Sequence, residues 1–132
     1  MEVEELQRLI DSAPVHAELE MAVRAAGEDG LLLDARPGPS HTSGAASFLH
    51  GGIVATILDA AATFSLIDAT GTDWSTVDLR VDYLRPAPMA PLRARARADH
   101  VGRSLGRATA QLTEAGSEKV LARAVGTFVR NG

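Results

Sequence analysis

Apolar residues along this chain follow two rhythms, separated by one long run with no rhythm. Near the start, Val3, Leu6 and Ile10, with Leu9 beside them, repeat at helical spacing and predict a short helix over residues 2–11, stopped by Pro14. Leu19, Met21, Val23 and Ala25 then alternate with Glu18, Glu20 and Arg24, the period of a half-exposed strand. Gly27-Glu28-Asp29-Gly30 turns it into a second strand, Leu31 to Arg36. Residues 37–47 are loop by composition and deliver the chain to His50. Further on, Val77, Leu79, Val81 and Tyr83 alternate with Asp78, Arg80 and Asp82 until Pro86 and Pro88. Leu92, Ala94, Ala96 and Ala98 alternate with Arg93, Arg95 and Arg97, and two more strands are expected over Arg107–Glu114 and Val120–Val129.

Between these halves, Ile53 to Ala69 has no alternation. It is rich in helix formers, has no internal Gly or Pro, and meets Gly71 as a C-terminal stop, which predicts a central helix over about 52–69, almost wholly buried. A membrane span is not expected, because an apolar run of about 17 residues with an acid near its centre falls short of one. The order helix, hairpin, long helix, four strands predicts an α+β domain spanning 1–132. Small residues (Ala94, Ala96, Ala98, Ala108, Ala110, Ala122 and Ala124) let one antiparallel sheet curl around the central helix.

The acid near the middle of that helix is Asp59. A buried carboxylate costs several kcal/mol unless it is paired or used, so Asp59 is the first candidate for chemistry. His50-Gly51-Gly52 precedes the helix, and the first amides of a helix lack intrahelical partners. Without Cβ atoms, a ligand oxygen can approach them closely, which is the layout of an oxyanion hole. Such donors are worth about 3–4 kcal/mol to a developing oxyanion. Gly51 and Asp59 are about 12 Å apart along a helix rising 1.5 Å per residue. If both act on one bond, the acid comes from a second copy of the chain.

Composition narrows the field further. The chain has 132 residues, 45% hydrophobic and 23% charged, enough for one globular core. The absence of Cys excludes disulfides and thiolate chemistry. A net charge of −4 argues against general nucleic-acid binding, and Met1-Glu-Val-Glu-Glu is acidic where a signal peptide would be basic, so a cytoplasmic location is expected. His16, His41 and His100 lack metal-ligand spacing and are expected at the surface; Arg93, Arg95 and Arg97 are expected as a solvated strand face. Gly102-Arg103-Ser104-Leu105-Gly106 matches G-x-S-x-G. That motif needs a strand running into a helix, whereas here it joins two antiparallel strands, so Ser104 is not expected to be a nucleophile.

Leu49-His50-Gly51-Gly52 with Asp59, Ser75-Thr76-Val77-Asp78 leading into Tyr83-Leu84-Arg85-Pro86, and Ala124-Val125-Gly126-Thr127 resemble the PaaI-type hotdog-fold acyl-CoA thioesterases over roughly residues 15 to 130. The resemblance implies a six-stranded antiparallel sheet wrapped around the long helix, homodimers that often pair into homotetramers, and two sites per dimer. It implies that the Gly51 amide polarises the thioester carbonyl. Asp59 of the partner subunit then acts as general base or as nucleophile, His50 orients the loop and Thr76 helps hold the attacking water. Gly52, Phe48, Arg85 and Arg103 are the substrate-binding candidates, the two arginines for the phosphates of CoA and Phe48, with Phe64, for an aryl or medium-chain acyl group. No metal or other cofactor is implied, CoA being part of the substrate. Family members often carry Asn six residues before the motif His, and here that position is Gly44. Either Ser43 or Ser47 substitutes, or the site is weakened. The alternative reading is a non-catalytic acyl-CoA-binding hotdog protein; no His-and-acid signature of a hotdog dehydratase or hydratase is present.

Overall fold

A computed structural model describes residues 1–44 and 47–132; Ala45 and Ala46 of the predicted loop lie outside the described residues. The chain opens with helix α1 (Val3–Asp11), which buries Leu6 and Ile10. Leu9 does not share that stripe and stays 44% exposed. Pro14 does more than end α1: it starts a second helix, α2 (Pro14–Glu18), because the first helical position has no amide bond to lose. The strand expected from Leu19 therefore begins later, as β1 (Ala22–Ala25), after a reversal in which Glu20 takes φ 48°. Leu19 and Met21 are nonetheless buried, so the alternation recorded which residues face the core rather than where strand pairing starts. Gln7 on α1 serves β1, accepting from Val23 N at 2.7 Å and donating to Met21 O at 2.9 Å. Its amide thus covers backbone groups of an edge strand that would otherwise stand open.

β2 (Leu31–Ala35) follows, then a 3₁₀ turn (Pro39–His41), helix α3 (Gly51–Thr70), and strands β3 (Trp74–Tyr83), β4 (Leu92–Val101), β5 (Leu105–Glu114) and β6 (Ala122–Arg130). All pairings are antiparallel in the order β1-β2-β4-β5-β6-β3, which leaves β1 and β3 at the edges. This is the six-stranded sheet around one long helix that the resemblance implied. Ala94, Ala96, Ala108, Ala110, Ala122 and Ala124 are all buried, so the sheet closes tightly on α3. At Gly106 a Cβ would stand 3.0 Å from both Leu66 and Trp74, so a side chain there would have to push these two large buried side chains aside by a few tenths of an ångström. Ile57, Leu58 and Leu66 on α3 are fully buried. Each such side chain contributes about 1.5–3 kcal/mol through removal of apolar area from water.

α3 ends as its sequence indicates, with Gly71 at φ 72° donating to Ile67 O at 2.7 Å. Its 20 residues are long and apolar enough by composition to cross a membrane, but one side is packed into the sheet. The helix is not almost wholly buried, as expected from composition. Gly52, Thr56, Asp59 and Thr63, at helical spacing, form a strip that keeps exposure. These residues are small or polar, so their face does not show in a helix where nearly everything else is apolar.

Two further expectations change. Arg93 is not merely solvated: its guanidinium grips Asp34 at 2.8 and 3.1 Å, while Arg24 meets the same carboxylate at 2.8 Å, which ties β4, β2 and β1 together. His41 is 8% exposed rather than on the surface. It accepts from Gly38 N at 2.9 Å through Nδ1 and faces Glu18 Oε1 through Nε2 at 3.3 Å.

Candidate active site

The start of α3 is delivered by a pinned segment. His50 N donates to His41 O and Leu49 N to Ala87 O, each at 2.9 Å, so the buried His41 serves as an anchor for the His50-Gly51-Gly52 turn. His50 caps the helix: its Nδ1 accepts from Gly52 N at 2.9 Å. That bond fixes the ring, with Nδ1 bare and the imidazole proton on Nε2. A Cβ on Gly52 would lie 3.1 Å from Nδ1, so glycine there lets the imidazole fold over the backbone without a tight contact.

The cap determines which amide is available. Gly52 N is taken by His50, and Ile53 N and Val54 N both donate to His50 O. Among the described residues nothing accepts from Gly51 N, which leaves one exposed, unpartnered donor at the positive end of a 20-residue helix. Sequence reasoning offered Gly51 and Gly52 as a pair, but the geometry separates their roles. The carbonyl of Gly51 is also held, by the Tyr83 hydroxyl donating at 2.7 Å. Tyr83 was not among the candidate site residues, although it opens the Tyr83-Leu84-Arg85-Pro86 segment that takes part in the resemblance.

Asp59 lies on the half-exposed strip of α3, and the Thr76 hydroxyl donates to its Oδ1 at 2.7 Å. Oδ2 has no hydrogen-bond partner among the described residues. The bond to Thr76 holds the carboxylate in one orientation with one oxygen free. A bulge in β3 makes the contact: Thr76 pairs with Phe128 and Asp78 with Thr127, leaving Val77 over. Val77 is accordingly 60% exposed and is not on the core face where alternation placed it.

The remaining candidates are spread. Phe48 is 43% exposed and bridges to Pro88 beside the helix start. Phe64 is buried near the other end of α3, its ring meeting His16 edge-on at 6.0 Å. Arg85 donates to Val120 O at 2.9 Å and so braces the loop after β3. Arg103 is exposed in the β4–β5 turn and makes no ion pair or hydrogen bond among the described residues. Ser104 lies in the same hairpin turn, its carbonyl accepting from Arg130 N, so the G-x-S-x-G match is a turn and not a nucleophile elbow. Ser43 donates to Phe48 O at 3.4 Å and Gly44 adopts φ 97°; among the described residues neither Ser43 nor Ser47 hydrogen-bonds to Gly51 or Asp59. No group of His, Asp and Glu with metal-holding geometry occurs among the described residues.

Within one chain, then, the free amide and the free carboxylate oxygen belong to residues separated by about 12 Å along one helix at 1.5 Å per residue. A family model described as the thioesterase superfamily matches residues 46–121, which include both. Among solved structures, a protein from the thioesterase superfamily is 30% identical over 96% of both chains with TM-score 0.91. A phenylacetic acid degradation-related protein from Ralstonia eutropha JMP134 is 29% identical, covering 94% of this chain and 98% of its own, at TM-score 0.79. The PaaI protein of the E. coli phenylacetic acid degradation operon shares the fold at TM-score 0.85 and 19% identity, over 98% of this chain and 92% of its own. No curated protein matches the sequence.

Proposed function

The chain belongs to the thioesterase superfamily, and from that membership we propose that it hydrolyses acyl-CoA thioesters, aryl or medium-chain, at sites that two copies build together. The observation that carries this reading is the unpartnered Gly51 amide at the start of the helix that also carries Asp59. The thioester carbonyl of the substrate accepts from Gly51 N, and the carboxylate of Asp59 comes from the partner subunit, since a reach of about 12 Å within one helix is too long for one carbonyl group. In one form, Asp59 takes a proton from water, whose oxygen attacks the carbonyl carbon. In the other, Asp59 attacks directly and water hydrolyses the resulting anhydride. In both, the carbon–sulfur bond breaks with its electron pair on sulfur, and that sulfur takes up a proton to leave as the thiol of CoA. Thr76 fixes the carboxylate and His50 fixes the Gly51-Gly52 turn.

A homodimer is supported by two exposed features: the strip on α3 and the edge strand β3, whose Val77 and Tyr83 are 60% and 54% exposed. Pairing of two dimers, a cytoplasmic location and a reaction that calls on no metal or redox cofactor belong to the same reading. Phe48 from one subunit and Phe64 from the other would flank the acyl group, with Arg103 or Arg85 toward the phosphates of CoA.

Release of thiol from a panel of acyl-CoA substrates tests the activity, and mixed dimers test the architecture. Gly51→Pro removes the amide hydrogen while suiting the backbone, because His50 already holds φ −59° and ψ 137°, a conformation that a following proline favours. Gly51→Pro and Asp59→Asn should each abolish turnover. Equal mixtures, exchanged into hybrid dimers, should recover about a quarter of the wild-type rate, because half the dimers are hybrids with one intact site. Mixtures as inactive as their parents would place amide and acid in one chain and end the composite site. A second reading, a non-catalytic acyl-CoA-binding protein, is favoured by Gly44 and by the engagement of Ser43 with Phe48; equal thiol release by wild type and Asp59→Asn would end the catalytic claim for Asp59.

A further inference from the structure

Past Asp59, α3 continues on the same face through Thr63 and Ile67, at four-residue steps that stack side chains one above another. One turn beyond the carboxylate, about 6 Å along the axis, this face opens on a cavity of about 510 Å³. Thr63, Phe64 and Ile67 form one wall; Leu9, Ala13 and His16, from α1, α2 and the turn between them, form the other. Thr72 and Asp73, which lead into β3, close the side. α3, which carries Asp59, and the segment leading into β3, which carries Thr76, therefore both flank the cavity, whose lining on α3 starts one turn beyond Asp59. Its volume falls within the range of about 300–1,000 Å³ usual for small-molecule pockets.

The outer wall is held in place. His16 Nδ1 lies 3.0 Å from Ile10 O; a carbonyl only accepts, so this nitrogen carries the proton and ties α2 to the end of α1. The same ring meets Phe64 edge-on at 6.0 Å, which sets the width between α2 and α3. Leu9, 44% exposed, offers its side chain to the cavity rather than to the core.

We propose that this cavity receives the far end of the acyl group whose carbonyl is attacked at Asp59 of the same chain, and that the α1–α2 turn, through Ala13 and Leu9, limits how long that chain can be. The inference rests on the thioesterase reading above and adds to it a preference: an apolar acyl chain of medium length over acetyl. The stretch from Asp59 to Ile67 offers such a chain about 12 Å of helix face. Ala13 is the gauge, because it is small and lines the cavity. Its backbone, at φ −96° and ψ 121°, accepts any larger L residue without strain.

The test uses the full chain with acetyl-, hexanoyl- and decanoyl-CoA. Wild type should favour a longer substrate over acetyl-CoA in kcat/KM by about tenfold or more, the scale of a few methylene groups in an apolar pocket. Ala13→Phe should lower kcat/KM for decanoyl-CoA about tenfold more than for acetyl-CoA, and a melting temperature close to that of wild type shows the variant to be folded. Leu9→Ala, at an exposed position, should shift the optimum toward the longer substrate. Calorimetric binding in an Asp59→Asn background separates the two claims. There decanoyl-CoA should bind more tightly than CoA alone, and adding Ala13→Phe should remove the difference. Length profiles unchanged by either substitution, or an equal loss for all substrates, would overturn the inference and leave the hydrolysis reading standing. Ala13-dependent binding of decanoyl-CoA with no turnover of any thioester would support the acyl cavity and end the hydrolysis reading.

Discussion

Thr76 and Tyr83 stand seven positions apart on one strand, and both reach the same helix, Thr76 at Asp59 and Tyr83 at the Gly51 carbonyl, each at 2.7 Å. An odd separation on an unbroken strand sends two side chains to opposite faces. The bulge at Val77 reverses the phase, so that Trp74 and Thr76 before it face α3 together with Leu79, Val81 and Tyr83 after it. One extra residue thus lets a single strand hold both ends of the candidate machinery.

Deleting Val77 should therefore be far worse than replacing it. Without the bulge, Thr76 and the buried Trp74 turn outward, at a cost of about 3–5 kcal/mol, comparable to losing a large core side chain. Val77→Thr keeps the residue count and should melt within a degree or two of wild type. Calorimetric melting curves of both variants check this, and equal stability of the two would refute the phase argument.

The hydroxyl of Thr76 positions Asp59 and does not bear on the fold, since Thr76 is exposed. Thr76→Val should lower kcat roughly tenfold with little change in KM, the kinetic equivalent of one oriented hydrogen bond. Thr76→Ser should recover most of that loss. A fall confined to KM would show that Thr76 holds substrate instead.

These relationships differ in how far they were legible in the sequence. The long helix, its stop at Gly71 and the strands of the sheet are local patterns, and they are found within a few residues of where periodicity puts them. The eight-residue spacing from Gly51 to Asp59 was equally legible, because helix geometry turns spacing into distance. α2 was hidden because Pro14 can end one helix or begin the next, and only packing decides. Val77 looked like any apolar residue in alternation; its displacement depends on pairing with β6. The burial of His41 depends on Gly38 and on Glu18, a residue far away in sequence. The open strip of α3 was invisible because Gly52, Thr56 and Thr63 suit a tight internal contact as well as an exposed face.

Gly51 and Gly52 should respond oppositely to alanine. At Gly51 a Cβ would meet the Tyr83 ring at 3.5–3.6 Å, ordinary contact, so Gly51→Ala should gain up to about 1 kcal/mol of helix propensity. At Gly52 it would press on the His50 ring at 3.1 Å and dislodge the cap, which costs about 0.5–2 kcal/mol and cancels the gain. Urea unfolding of the two variants should therefore separate them, with Gly51→Ala the more stable.

Arg103 and Arg85 are distinguishable by what each already does. Arg85 is bound to Val120 O, so Arg85→Ala should lower stability by about 0.5–1.5 kcal/mol. Arg103 is free of such contacts among the described residues. If it meets a CoA phosphate, Arg103→Ala should raise KM for acyl-CoA several-fold, more at low salt, and leave unaltered the hydrolysis of a truncated thioester that lacks the nucleotide. Equal effects on both substrates would remove Arg103 from the binding site.

Asp34 supplies the acid sensitivity of the sheet. Burial by itself pushes its carboxyl up, but the hydrogen bonds and charges of Arg93 and Arg24 outweigh burial and hold it below the usual aspartate range. A carboxyl whose folded pKa is depressed contributes stability that is fully present above its unfolded value, about 3.9, and is lost as pH falls through the folded value. Asp34→Asn removes the charge at every pH. At pH 7 it should cost roughly 1–2 kcal/mol, between the worth of an exposed ion pair and that of a buried charged hydrogen bond. Below pH 3 the gap between variant and wild type should narrow, because there the wild-type carboxyl is itself becoming neutral. Unfolding in urea at pH 7, 5 and 3 checks the sign. A gap that widens toward acid would mean that burial, and not Arg93 and Arg24, dominates at Asp34.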